Sequence, residues 1–163
     1  MRKHVVNLFI VDDDKLTATL LKHLLESKLR DHINITTFED GESCLKKIDS
    51  DTHIIILDYF MKAINGLEVL KAIKVINPKA EVIMLTSNED DIIAIEALRA
   101  GAKDYLAKGV GSQKKVIRLV NTIVANRLKL ALKKNSRANY AIGCLIALAV
   151  IGIIVFFAMR THK

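Results

Sequence analysis

The chain has 163 residues, of which 51% are hydrophobic and 26% are charged. This composition excludes a disordered chain and allows one domain of ordinary size with a further segment. Residues 1–104 hold all 18 acidic residues, whereas residues 105–163 hold none and carry 11 Lys and Arg. Because the tail is so basic, it favours an anionic partner surface, either nucleic acid or lipid.

Neither the cysteines nor the N-terminus indicates a secreted protein. Cys44 and Cys144 lie in different segments without metal-ligand spacing, so they predict no disulfide framework and fit a reducing compartment. The apolar run Val5–Val11 ends in three aspartates and is too short for a secretory signal. We therefore expect the N-terminal part of the chain to stay in the cytoplasm.

Two strands and two helices are predicted before residue 50. In chain order, they are a strand over Val5–Val11, a helix over about Lys15–Leu29, a strand over Ile33–Phe38 and a helix opened by Asp40 and Gly41. The first helix carries an apolar stripe of Leu16, Leu20, Leu21, Leu24 and Leu25. The second helix turns Cys44, Leu45 and Ile48 inward.

Three further strand–helix pairs follow. In chain order, they are a strand over Ile54–Leu57, a helix from about Leu67 that ends by Asn77, a strand over Glu81–Leu85, a helix to Arg99 with Asn88 as its N-cap, a strand over Asp104–Ala107 and a helix from Ser112. Five alternations of strand and helix over about 125 residues predict an α/β fold, a doubly wound parallel sheet covered on both faces.

Polar side chains stand where four of these strands end: Asp12 and Asp13, Asp58, Thr86, and Lys108. We expect them to converge, because the carboxyl ends of parallel strands share one sheet edge. Three carboxylates in one place repel one another unless a cation neutralises them, and Mg²⁺ selects such oxygen ligands. A lysine and a threonine hydroxyl are suited to holding a phosphoryl group.

Residues 1 to about 125 resemble the receiver domain of two-component response regulators, with the layout of the stand-alone chemotaxis regulator. The motifs that carry the resemblance are VDDD at Val11–Asp14, LDYFM at Leu57–Met61 followed by Gly66, LTS at Leu85–Ser87, and DYLAK at Asp104–Lys108. The resemblance implies a flavodoxin-like, five-stranded parallel sheet with strand order 2-1-3-4-5.

The resemblance also implies a role for each residue at the strand ends. Asp58 would be the phosphoacceptor, a carboxylate that attacks a phosphohistidine and becomes an acyl phosphate. Lys108 would pair with the phosphoryl oxygens, and the Thr86 hydroxyl would move toward the phosphate. Tyr105 would be the aromatic switch that turns inward behind it, although ordinary packing at the sheet edge explains this tyrosine equally well.

A Mg²⁺ site is implied by the same resemblance. Asp13 would bind the ion directly, Asp12 would hold a metal-bound water, and Asp58 and the backbone carbonyl of Phe60 would complete the protein ligands.

The chain departs from the usual family pattern at three positions. Lys62 and Gly109 stand where members usually carry proline, the second commonly with a cis bond. A cis bond to a residue other than proline costs about 2.5–4 kcal/mol, so we predict a trans Lys108–Gly109 bond and a less certain aim of Lys108. Phe60, two residues after the acceptor, is expected to shield the acyl phosphate and prolong its lifetime.

The tail predicts a membrane anchor. Residues 141–159 are uncharged, and a helix of that length spans about 28 Å, close to the hydrocarbon thickness of a bilayer. We predict a receiver domain over residues 1–126, a basic juxtamembrane helical linker over 127–139 and a transmembrane helix over 140–160. Because more Lys and Arg precede the span than follow it, the receiver should face the cytoplasm from a single-pass protein of the inner membrane. The basic linker fits lipid headgroups or a solvated helix face equally well.

The expected function is that of a phospho-accepting response regulator in a two-component phosphorelay. Its phosphodonor would be a histidine kinase or a phosphotransfer protein, and its own chemistry would be limited to Mg²⁺-dependent self-phosphorylation and slow self-dephosphorylation. Because no DNA-binding helix pair is visible after residue 126, we expect a protein target and no nucleic acid. One alternative is an interaction module at the membrane that is not phosphorylated. Another is an aspartyl phosphatase, although Phe60 occupies the place of the second acid that such enzymes use.

Overall fold

The computed structural model describes residues 5–29, 32–87, 90–109, 111–131 and 133. In this part of the chain, strands and helices alternate as predicted. They are β1 (Val6–Val11), α1 (Lys15–Leu29), β2 (Ile33–Phe38), α2 (Gly41–Leu45), β3 (Thr52–Asp58), α3 (Gly66–Ile76), β4 (Glu81–Thr86), α4 (Asp91–Arg99), β5 (Asp104–Ala107) and α5 (residues 112–131).

The five strands form one parallel sheet in the order β2-β1-β3-β4-β5. The predicted doubly wound sheet and its strand order are confirmed. The central strand β3 is buried on both faces, since Ile54–Leu57 are at most 1% exposed. The chain order reverses between β1 and β3, which is the point where open α/β sheets place their ligand sites.

The chain divides into two units, Met1–Val124 and Ala125–Lys163. The second unit is described only at residues 125–131 and 133, which are helical. No helix among the described residues has the length and apolar character to cross a membrane. The predicted span over residues 140–160 lies outside the described residues, as does most of the predicted linker.

Two helices differ from the expectation in which side chains they bury. In α1, Leu16 is 77% and Leu20 is 48% exposed, so the predicted leucine stripe is wider than the face that packs on the sheet. The buried side of α1 is formed by Ala18, Leu21, Leu25 and Leu29. Helix α2 ends at Leu45, so Ile48 lies beyond it, although Ile48 still packs against the core.

The N-cap of α4 is Asp90, so the prediction of Asn88 as the cap is wrong. Asp90 Oδ1 accepts the backbone N–H of Ile92 at 2.8 Å and that of Ile93 at 3.4 Å. Because α4 begins at Asp91, the carboxylate of the preceding residue satisfies the free N–H groups of the first turn.

Helix α3 begins in close contact with the end of β3. The Gly66 N–H donates to the Tyr59 carbonyl at 2.8 Å. A Cβ at Gly66 would lie 2.3 Å from the Asp58 carbonyl oxygen, closer than carbon and oxygen can approach. Asn65 caps the helix by accepting the Glu68 N–H at 3.0 Å. The loop between β3 and α3 is therefore tied down at both ends beside Asp58.

Candidate functional site

Three carboxylates meet at the carboxyl edge of the sheet. One oxygen from each of Asp12, Asp13 and Asp58 lies within 4.8 Å of the others. They are brought together because β1 and β3 are neighbours with Val11 paired to Leu57, the residues just before Asp12 and Asp58. Asp12 is 3% and Asp58 is 4% exposed, whereas the Asp13 side chain is 28% exposed. The predicted convergence of these acids is confirmed.

Lys108, just after β5, reaches both buried acids. Its Nζ lies 2.8 Å from Asp12 Oδ2 and 3.0 Å from Asp58 Oδ2. Its backbone N–H donates to the carbonyl of Thr86, which ties the end of β5 to the end of β4. Lys108 therefore points into the site even with Gly109 in place of the usual proline.

One ammonium faces two buried carboxylates, so the negative charge of the site is only partly neutralised. Burial raises the pKa of Asp58; the hydrogen bond from Lys108 opposes this shift, and the charge of Asp12 adds to it. Burial alone would lower the pKa of Lys108, but its hydrogen bonds to Asp12 and Asp58 raise the pKa overall. Lys108 therefore stays protonated, and two carboxylates share one ammonium.

The free oxygens of the cluster fit a divalent cation. Asp12 Oδ1 accepts the Asp14 N–H at 3.0 Å, and Asp12 Oδ2 binds Lys108, so both of its oxygens are engaged. Asp58 Oδ1 is buried and receives no hydrogen bond from any described residue. A buried acceptor without a donor costs about 1–3 kcal/mol, so a cation ligand explains its placement. Oxygen donors of this kind are those that Mg²⁺ prefers.

Phe60, two residues after Asp58, places its ring at the surface. Its side chain is 45% exposed and meets the Tyr59 ring edge-to-face, with centroids 4.8 Å apart and an angle of 81°. The metal-ligand role of its carbonyl and the shielding role of its ring stay predictions.

Thr86 and Tyr105 differ in how far they are buried. Thr86 ends β4 and is fully buried, and its carbonyl is bonded to Lys108 as described above. Tyr105 is half-buried, packs against the core and lines a cleft of about 460 Å³ between α4, β5 and the start of α5. This position fits both a switch and edge packing, so the switch roles of Thr86 and Tyr105 stay predictions.

A short turn that the sequence reasoning missed supports Lys108. The described residues contain no cis peptide bond, which confirms the predicted trans bond before Gly109. The Gly109 N–H donates to Ser112 Oγ at 3.2 Å, and that hydroxyl donates back to the Gly109 carbonyl at 2.9 Å. Proline at this position would lack the N–H, so this turn takes the place of the prolyl ring.

The second missed residue is Lys62, in the loop between β3 and α3. Its Nζ lies 4.0 Å from Asp13 Oδ2. From the sequence, Lys62 stands out only as a replacement for proline. The signal that could have identified it is a positive charge four residues after Asp58, in a loop that borders an acidic cluster.

Comparisons with known proteins agree with this geometry. The sequence model of the response regulator receiver domain matches residues 8–121. The transcriptional regulatory protein CpxR of Escherichia coli (strain K12) is 34% identical over 112 residues, which cover 69% of this chain and 47% of that protein. The chain thus spans about half the length of the curated relatives it matches.

Two solved structures are also similar. The response regulator domain of Thermotoga maritima CheB has 30% identity and a TM-score of 0.62, covering 75% of this chain and 95% of that one. In the CheX–CheY–BeF3–Mg complex of Borrelia burgdorferi, the matching chain has 28% identity and a TM-score of 0.63, covering 71% of this chain and 87% of that one. The family match covers residues 8–121, more than half of this chain. The chain therefore belongs to the response regulator receiver domain family.

Proposed function

We propose that Asp58 accepts a phosphoryl group from a histidine kinase or a phosphotransfer protein, so that the chain acts as a response regulator in a two-component phosphorelay. The observation that carries the proposal is the state of the Asp58 carboxylate. It is 4% exposed, its Oδ2 lies 3.0 Å from Lys108, and its Oδ1 has no hydrogen-bond partner in the described part of the chain. A structural carboxylate at this depth would have both oxygens satisfied.

Each residue of the site has a role in the proposed phosphoryl transfer. A carboxylate oxygen of Asp58 attacks phosphorus, the bond from phosphorus to the donor imidazole breaks, and its electron pair leaves with the imidazole. Lys108 places its ammonium beside the attacking carboxylate, where it neutralises phosphoryl oxygens. Asp13, Asp58 and the Phe60 carbonyl would hold Mg²⁺, which when bound reduces the repulsion between the carboxylates and the phosphoryl oxygens.

Nuclear magnetic resonance separates this function from an interaction module that is not phosphorylated. The sample is the labelled chain with Mg²⁺, before and after addition of acetyl phosphate, and Asp58→Asn is the control. We expect amide shifts around Asp58, Thr86 and Lys108 after acetyl phosphate is added to the wild type but not to the variant. Spectra of the wild type that do not respond to the donor would contradict phosphorylation.

We further propose that the receiver faces the cytoplasm and is anchored to the inner membrane through residues 140–160. The support is the uncharged run 141–159 and the excess of Lys and Arg before it. The output would be a protein contact, or competition for phosphoryl groups, at the membrane. The relatives named as transcriptional regulators are at least twice as long as the stretch they share with this chain, and their output is not part of the proposal.

A further inference from the structure

A second lysine approaches the acidic cluster from the solvent side. The Lys62 side chain is 90% exposed, and its Nζ lies 4.0 Å from Oδ2 of Asp13. Lys108, by contrast, is 25% exposed and is held between Asp12 and Asp58. The two lysines therefore contact different acids: Lys108 the two buried ones, and Lys62 the one that solvent reaches.

Asp13 offers a divalent cation carboxylate oxygens that Lys108 does not occupy. Both oxygens of Asp12 are engaged, by the Asp14 N–H and by Lys108. Asp58 Oδ2 is also bound to Lys108. Among the carboxylate oxygens of the described cluster, this leaves Asp58 Oδ1 and the oxygens of Asp13 open to a cation, and Lys62 lies beside Asp13.

We infer that Lys62 competes with the divalent cation for Asp13 and thereby sets the Mg²⁺ concentration at which the site fills. The inference rests on the proposed function. Mg²⁺ binds carboxylate oxygen at about 2.1 Å, so an ammonium that kept its place would stand within about 6 Å of the ion. The ion must therefore displace the Lys62 side chain or bear its repulsion.

The size of the effect follows from the exposure of Lys62. An exposed ion pair contributes little to folding, so removing Lys62 should leave the fold intact. Coulomb's law at the dielectric constant of water limits the repulsion at this distance to roughly a tenfold change in affinity. Because the flexible side chain can swing away, we expect a change of about three- to tenfold.

Titration of Mg²⁺ into the unphosphorylated full-length chain in detergent, followed by calorimetry, tests the inference. Lys62→Gln should lower the Kd by about three- to tenfold, with a smaller gain at high salt, and Lys62→Arg should keep the wild-type Kd. The matched control is Lys28→Gln, which removes the same charge from a residue about 20 Å along α1 from Lys15, the first residue of that helix. This control should leave the Kd for Mg²⁺ unchanged. A Lys62→Gln chain with the wild-type Kd or a weaker one would overturn the inference.

The result for the wild type separates a failure of the Lys62 inference from a failure of the proposed function. If it binds Mg²⁺ and takes a phosphoryl group from acetyl phosphate while Lys62→Gln changes nothing, only the role of Lys62 is wrong. If it neither binds Mg²⁺ nor takes the phosphoryl group, the proposed function fails and the inference fails with it.

Discussion

The Lys108 ammonium is shared by two buried carboxylates, those of Asp12 and Asp58. One positive charge cannot neutralise two negative ones, so the site stays negatively charged. Asp12 and Asp58 both contact Nζ within 3.0 Å, yet burial still raises the pKa of Asp58. Such a site keeps an uncompensated negative charge that favours cation binding and opposes folding. At the scale of single residues, stability and the proposed function are therefore in conflict at Asp58.

Replacing Asp58 by asparagine should make the metal-free protein more stable at pH 7, by about 1 kcal/mol. The folded-state pKa of Asp58 is raised, so the charged form is disfavoured in the fold. The penalty is complete above that raised pKa and disappears as the pH falls toward the unfolded value of about 3.9. Urea unfolding in EDTA should therefore show a difference between variant and wild type that shrinks as the pH is lowered from 7.

The control for this measurement is Asp14→Asn. Hydrogen bonds from Thr17 and Leu16 lower the pKa of Asp14, so this carboxylate contributes stability above its unfolded pKa and loses it on acidification. Asp14→Asn should therefore not stabilise the protein at pH 7. An Asp58→Asn variant that is less stable than the wild type, or whose advantage does not change with pH, would contradict the assignment of burial as the dominant effect.

Replacing Phe60 by asparagine should accelerate loss of the phosphoryl group. Phe60 lies two residues after Asp58, the proposed acceptor, and is 45% exposed, so we expect its ring to keep water from the acyl phosphate. An amide in its place can bind the attacking water, so we expect the rate of phosphate release to rise roughly tenfold or more. Release is followed after donor removal, and Phe60→Leu serves as the apolar control. Equal rates for asparagine and leucine would argue against shielding.

At the scale of elements, the site depends on how closely α3 approaches the end of β3. Gly66→Ala would place a methyl group 2.3 Å from the Asp58 carbonyl oxygen and should destabilise the protein by about 1–3 kcal/mol. Gly109→Ala is the matched control, since no atom lies within 4 Å of a Cβ there. Urea unfolding compares the two. A similar effect of both substitutions would mean that the close approach of α3 does not hold the site together.

The sequence was most informative where elements end on charged or polar side chains. The edge positions of Asp12, Asp58 and Lys108 could be predicted, because buried strands of a parallel sheet end on one edge. The N-cap of α4 could not, since Asn88 and Asp90 have equal capping chemistry and packing decides where the helix begins. The turn of Gly109 and Ser112 has no periodic pattern in the sequence. The contacts that hold the chain after Lys108 could therefore not be predicted either.

At the scale of the whole molecule, the strand order places the acids at the reversal point between β1 and β3, with Thr86 at the end of β4 and Lys108 just after β5 on the same edge of the sheet. The resemblance supplied this order before the structure did, because alternation of strands and helices alone leaves several orders open. Charge is divided along the chain as well, with every acidic residue before position 105.

The proposed anchor predicts that the full chain sediments with carbonate-washed membranes. Two arginines introduced by Leu148→Arg and Ile151→Arg should release it, because each costs about 2.5–3.5 kcal/mol near the centre of a bilayer. The control is Val75→Arg with Ile76→Arg, two exposed positions at the end of α3, which should leave the chain in the membrane fraction. A double variant in the apolar run that sediments like the wild type would contradict the anchor.

The most direct test of the account is the mass of the chain after incubation with acetyl phosphate and Mg²⁺, followed by peptide mapping. We predict an increase of about 80 Da, the mass of one phosphoryl group, located on Asp58 and absent when Mg²⁺ is removed by EDTA. An unchanged mass with a competent donor, or the added group on any residue other than Asp58, would contradict it.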